Sequence, residues 1–230
     1  MTSSGSLRSH PSRPATIAAL YVRTGGCYFG LDGVDPWDEA RDARQYGGPY
    51  PVVAHPPCDR WHLLSAVNHK RWGWRINEDD GCFASALSAV RRFGGVLEHP
   101  AESRAFRFHR IPEPTARGWQ LTLDGDWVTE VDQAAYGHRA KKRTWLLYRG
   151  APPPELDWRS VRGSHQIGRF GKNQLPQLPD VERAASPPLF RDLLIGIARA
   201  ARMPDAERDG CGSGNPRVAT SGVEQLREDT

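Results

Sequence analysis

The stretch Val52-Val53-Ala54-His55-Pro56-Pro57-Cys58 places a thiol directly after two prolines at the end of an apolar run. Each proline fixes its own φ and removes a backbone donor, so the cysteine rides on a stiff platform. A thiol held at a strand end suits nucleophilic attack, because the thiolate needs a fixed line of approach to its target. The competing reading is packing, since free cysteine is among the most buried residue types. Cys27, Cys82 and Cys211 have no such platform and read as ordinary thiols.

Glu98 is the second unusual residue. It follows Gly95-Val96-Leu97 directly, and an acid at the end of a buried strand is costly unless it is paired or functional. Two roles are open: hydrogen bonding to a substrate N–H group and helping to protonate it, or a structural role as a helix cap or a partner for Arg104. A third feature is Gly137-His138-Arg139-Ala140-Lys141-Lys142-Arg143. From 133 to 154 there are five basic residues and no acid. Such a run is either a solvated surface or a grip for phosphate. Arg143 abuts the apolar run 144–148 and is expected to point inward.

Elements must bring these groups together. Residues 16–22, 51–54, 95–97 and 144–148 read as strands. All are apolar on both parities, as expected when both faces are covered, the usual state of a parallel sheet. Residues 79–93 read as a helix with Phe83, Leu87 and Val90 on one face, stopped by Gly94-Gly95. A last helix is expected from Ser186, burying Leu189, Phe190, Leu193, Leu194, Ile197 and Ala201. Strand 51–54, helix 79–93 and strand 95–97 make a βαβ unit. Its two strands are then parallel, and Cys58 and Glu98 fall beyond their carboxyl ends, the edge where open α/β sheets bind ligands. Trp61, Trp72, Trp74, Arg71 and Arg75 follow Cys58 as a packed cap or a stacking rim.

The whole chain has 230 residues and a net charge of +4. That length allows one α/β domain with tails. Residues 1–14 are Ser/Arg/Pro-rich and read as disordered. Residues 204–230 carry six acids against three Arg and read as a disordered acidic tail, leaving a domain over 15–203. No apolar run is long enough to span a bilayer, and the start has no secretory h-region. The four cysteines lack any CxxC spacing, which argues against a metal site and a disulfide framework and for reduced thiols in a cytoplasm. A zinc deaminase is excluded, since Trp61 stands where Cys58 would need a partner cysteine.

Taken in order, Pro57-Cys58, Glu98-His99 and Arg139-x-Lys141-x-Arg143 resemble the motifs of DNA cytosine-5 methyltransferases, which run Pro-Cys, Glu-Asn, Gln-x-Arg-x-Arg. The separations, 40 and 45 residues, are similar to the family's. The resemblance covers residues 52–148 and implies a short, phage- or prophage-type protein. The implied fold is α/β and Rossmann-like: a mostly parallel sheet, helices on both faces, and a compressed N-terminal half. The resemblance also implies S-adenosylmethionine as cofactor, held by Gly25, Gly26, Pro56 and either Asp35 or Asp38. DNA is the implied partner, with Cys58 adding to C6 of a flipped cytosine, Glu98 holding the N3 edge and Arg143 touching the base or its phosphate. Ser65, Arg139, Lys141, Lys142 and Trp61 are the implied substrate contacts. Arg139, Lys141 and His99 depart from the family's Gln, Arg and Asn. Two other readings stay open: a different base or nucleotide modification through the same cysteine, and a nucleic-acid-binding protein without chemistry.

Overall fold

The computed structural model describes residues 16–62, 70, 71, 73, 75, 77–167 and 175–201. Ser65, Trp72, Trp74, Cys211, both proposed tails and both proposed domain boundaries lie outside them. Seven strands form one sheet in the order β2-β1-β3-β4-β7-β6-β5. They are β1 (Ile17–Leu20), β2 (Val34–Trp37), β3 (Val52–Ala54), β4 (Gly95–Pro100), β5 (Gln120–Leu121), β6 (Trp127–Asp132) and β7 (Arg143–Arg149). β2, β1, β3 and β4 pair in parallel. β7 then runs antiparallel to β4, β6 antiparallel to β7, and β5 antiparallel to β6.

The expected parallel unit is present: β3, the helix α1 (Cys82–Phe93) and β4 follow one another, and the two strands pair in register from Val52↔Gly95 to Ala54↔Leu97. The sheet as a whole is mixed, with three parallel and three antiparallel pairings, so "mostly parallel" describes only its first half. The antiparallel half was hidden for a physical reason. β6 reads Trp-Val-Thr-Glu-Val-Asp, whose charges look like a loop, yet Glu130 and Asp132 are held by partners. β7 is apolar on both parities because it is central, not because it is parallel. β2 was missed because it contains Pro36; as an edge strand it tolerates the missing donor.

Alternation along the strands divides the core in two. One face carries Ala18, Leu20, Val52, Ala54, Leu97 and Leu147, covered by Phe83, Leu87 and Val90 of α1. The other carries Ile17, Ala19, Val53, Val96, Leu146 and Tyr148, covered by the last helix, α4 (Pro188–Ala200), through Phe190, Leu194 and Ile197. The helical cover expected on both faces comes down to one long helix on each, α1 and α4: α2 (Arg104–Phe108) and α3 (Asp180–Ala184) are one turn each, and loops supply the remaining cover. α1 begins at Cys82 rather than Asp79, but the Asp79 carboxylate still accepts the Phe83 N–H at 2.8 Å. On α4, Leu189 is exposed rather than buried, because the stripe facing the sheet runs Phe190, Leu194, Ile197, Ala201. No helix among the described residues is long and apolar enough to cross a membrane.

Strand direction sets where chemistry gathers. β6 lies antiparallel to β7 and therefore runs the same way as β4. The carboxyl ends of β1, β3, β4 and β6 and the amino end of β7 thus share one edge. The close seat of β4 on β3 depends on Gly95, which has φ 119°; a Cβ there would lie 2.0 Å from the Val52 carbonyl oxygen. Gly95→Ala is expected to destabilise the fold by about 3 kcal/mol or more, from left-handed strain and broken pairing. Urea denaturation checks it, and a loss under about 1 kcal/mol would contradict this packing.

Candidate functional site

Cys58 lies just past β3, half-buried, lining a cleft of about 70 Å³ with His99, Ala101, Glu102, Ser103 and Trp61. Burial pushes its thiol up to about 11; Glu98 and Asp59 add to the rise and Lys142 opposes it. The resting group is therefore a protonated thiol at neutral pH.

Glu98, inside β4 and one residue past its last pair with β3, is 9% exposed. Its side chain lies on the α4 face, because Glu98 pairs with Leu146 in the sheet. Burial alone would raise its carboxyl, but the hydrogen bond and electrostatic pull of His55, then Lys142 and His99, outweigh burial and hold it below the ordinary carboxylate range. His55 Nδ1 donates to Oε2 at 3.0 Å, and Gln133 Nε2 donates to Oε1 at 3.2 Å. A carboxylate can only accept, which fixes the hydrogen on His55 Nδ1. In the neutral ring, Nε2 then accepts from the Tyr28 hydroxyl at 2.8 Å. Burial raises Tyr28 well above its usual range, so it stays protonated and able to donate. Gln133 Nε2 also donates to Thr144 Oγ1 at 2.9 Å, and Thr144 donates to the Lys142 carbonyl at 3.3 Å.

The result is a continuous buried chain, Tyr28–His55–Glu98–Gln133–Thr144, tying together the ends of β1, β3, β4, β6 and β7. Sequence reasoning quoted His55 only as part of the proline stretch and missed Tyr28, Gln133 and Thr144. Gln133 had a findable signal: it directly follows the alternating run 127–132. Tyr28 had none, since only folding brings it across the β1 loop.

The remaining expected contacts scatter. Arg143 does not point inward to Glu98. It shares a strand face with Trp145 and Leu147, opposite to that of Glu98, and it is bound to Glu130 at 2.7 Å and Glu102 at 2.6 Å. The cation acting on both Cys58 and Glu98 is Lys142. Arg139 is held by Glu182 at 2.9 Å and lies against His165 at 2.6 Å. Lys141 is exposed on a neighbouring groove. Trp61 is not a stacking surface: it is 1% exposed, donates to Asp79 at 2.9 Å and packs against Phe83, Phe108 and His109. The apolar indole wins a core position once its N–H has a partner.

On the proposed cofactor side, Asp35 is mid-strand in β2, and its oxygens are taken by Arg41 at 2.5 Å and Trp37 Nε1 at 2.8 Å. Asp38 stands at the proper strand end, but accepts from Thr24 at 2.7 Å and the Arg41 N–H at 3.2 Å. A Cβ on Gly26 would meet the Arg23 carbonyl at 2.8 Å, so that glycine serves the turn itself; one on Gly25 would meet nothing. Pro56 is buried. Among the described residues, no group of three or more His, Cys, Asp or Glu is placed to hold a metal ion.

No family model, curated protein or solved structure matches this chain.

His99 is 1% exposed; the Pro57 backbone favours its protonated ring, but neither nitrogen makes a hydrogen bond of good geometry. Burial, against the opposing pull of Glu98, depresses it to about 4. The folded state then keeps His99 neutral while an unfolded chain, near 6.5, takes up a proton. Stability therefore falls as pH drops from 6.5, by about 2 kcal/mol at pH 5 at roughly 1.4 kcal/mol per pH unit. His99→Leu should remove that part of the slope and match or exceed wild-type stability at pH 5. Denaturant midpoints across pH 5–7 check it; identical slopes for both proteins would contradict it.

Proposed function

We propose that this protein is a base-modifying enzyme of the DNA cytosine-5 methyltransferase type, with Cys58 as nucleophile and Glu98 as its acid–base partner. One observation carries the reading: β3 and β4 pair in parallel, so the loop that carries Cys58 and the strand that carries Glu98 meet at one edge of the sheet, where Glu98 adds to the rise that burial gives the Cys58 thiol. The supporting motif order is Pro57-Cys58, Glu98-His99, then the basic run before β7.

The Cys58 sulfur bonds to C6 of a cytosine, and the C5–C6 π pair moves into the ring toward N3. The thiol proton passes to the Glu98 carboxylate and from it to N3, so the adduct is neutral. C5 is then an enamine carbon and accepts an electrophile. Solvent water takes the C5 proton, the S–C6 bond breaks with its electron pair on sulfur, and N3 returns its proton through Glu98 to that thiolate, which restores a neutral ring and the starting thiol. A thiol that starts protonated suits this sequence, since it brings the proton N3 needs. Lys142 eases its departure, and His55 and Gln133 keep the receiving carboxylate ionised until the proton arrives. A cytosine in duplex DNA must first leave the stack, at a cost of a few kcal/mol.

S-adenosylmethionine is the methyl donor the resemblance implies. The residues at the ends of β1 and β2 do not fit it as they stand: Asp35 and Asp38 are engaged, and Gly26 is filled by its own turn. That observation favours a second reading, in which the same Cys58 addition serves another modification of a base or nucleotide.

An oligonucleotide carrying 5-fluorocytosine tests both. The expected result is a covalent adduct found by mass spectrometry on the peptide containing Cys58, absent in Cys58→Ser. Glu98→Gln is expected to slow its formation at least about 100-fold, the ordinary size of an acid–base contribution. An adduct that requires S-adenosylmethionine supports methyl transfer, and one that forms without it supports the second reading. No adduct under either condition would contradict both and leave binding without chemistry.

A further inference from the structure

Beyond the Cys58 cleft, two adjoining cavities of about 400 and 340 Å³ share Lys141 and Ser160. Both fall at the lower end of the ligand-site range, roughly 300–1,000 Å³. Their walls come from the lead into β7 and from the loop 158–167, which lies outside the motif resemblance. We infer that this double cavity is a phosphate-binding track for nucleotides, built by Lys141, Arg162 and Arg117 and separate from the thiol site.

Charge supports it first. Lys141, Arg117 and Arg162 are exposed and have no ion pair among the described residues. The two acids on the walls are already engaged. Glu130 binds Arg143 and the Trp145 N–H. Asp132 accepts the backbone N–H groups of Ala134, Lys142 and Val161. Glu130 and Asp132 line the same cavity and Glu130 acts on Lys141 through space, but none of the three cations is in a direct ion pair among the described residues, and guanidinium groups match phosphate oxygens in geometry.

The walls are also a built feature. His165 N–H donates to the Arg139 carbonyl at 3.0 Å, and Ala140 and His165 form a parallel bridge. Gly163 makes this approach possible: a Cβ there would lie 2.6 Å from the Arg139 carbonyl oxygen and 2.7 Å from the Lys141 nitrogen. The loop carrying Arg162 is therefore seated on the backbone of the segment carrying Lys141. Lys141 and Lys142 are consecutive, and they serve different places: Lys141 lines the track, while the charge of Lys142 acts on Cys58 and Glu98.

Binding of a labelled twelve-residue oligothymidylate tests the inference. The Lys141→Ala/Arg162→Ala double variant should bind roughly tenfold more weakly at 0.1 M salt. Its log–log salt slope should be shallower by about 1.4, the value for two lost contacts to a single strand. Arg107→Ala, on α2, should bind as the wild type does. Gly163→Ala should also weaken binding, without altering the charge count. Thymidine monophosphate forms the second arm: competition at equal concentration of phosphate groups marks free nucleotides as the ligand, and competition by the oligomer alone marks the strand backbone. Unchanged affinity and slope in the double variant would overturn the inference, as would equal binding of an uncharged methylphosphonate oligomer. Cys58→Ser should bind normally, so a failed adduct experiment with this result intact counts against the thiol chemistry alone.

Discussion

A carboxylate that stays ionised while shut away from water must be held by donors on every side, and Glu98 sets that requirement here. Leaving it unpaired would cost several kcal/mol. His55 and Gln133 meet the requirement, and each needs support in turn, from Tyr28 and Thr144. The network explains why five strand ends converge: each supplies one member. It also bears on the thiol: burial keeps Cys58 protonated at rest, and the fixed negative charge of Glu98 adds to that.

The mixed sheet is what allows this convergence. Were β7 parallel to β4, its amino end, with Lys142 and Thr144, would lie at the opposite edge. Running it antiparallel brings the basic segment beside Glu98, and the return strand β6 delivers Gln133 to the same place. The far end of this half is fastened by Asp126, 1% exposed, between Arg91 of α1 and Arg149 of β7. A pair buried on its acidic side is costly to break, so β6 cannot drift from α1 without leaving Asp126 uncompensated.

The legible parts of the molecule were those written in local pattern. The β3–α1–β4 unit showed in its apolar periodicity and in Gly94-Gly95, and its topology alone placed Cys58 and Glu98 at one edge. What stayed hidden depended on partners distant in the chain. β6 looks like a loop until Arg143 and Trp145 neutralise Glu130. Arg143 seemed bound inward because it precedes an apolar strand, yet strand alternation sends it to the face opposite Glu98. Trp61 reads in sequence equally as a packed cap or a stacking rim, and Asp79 decides it by supplying the acceptor that lets the ring sink into the core. Asp35 seemed available until Arg41, six residues on, folded back on it. Tyr28 reaches His55 only through the β1 loop, for which the sequence has no periodic signal.

The central claim is that Cys58 and Glu98 form one electrostatic unit. The most direct measurement is the rate of Cys58 alkylation by iodoacetamide as a function of pH, in wild type and in Glu98→Gln, with Cys27, Cys82 and Cys211 replaced by serine. The wild-type rate should climb about tenfold per pH unit and not level off below pH 10, since the thiol titrates near 11. Glu98→Gln removes the neighbouring negative charge, so its curve should shift to lower pH and run faster at pH 8. Superimposable curves, or a wild-type plateau already reached near pH 9, would contradict the account.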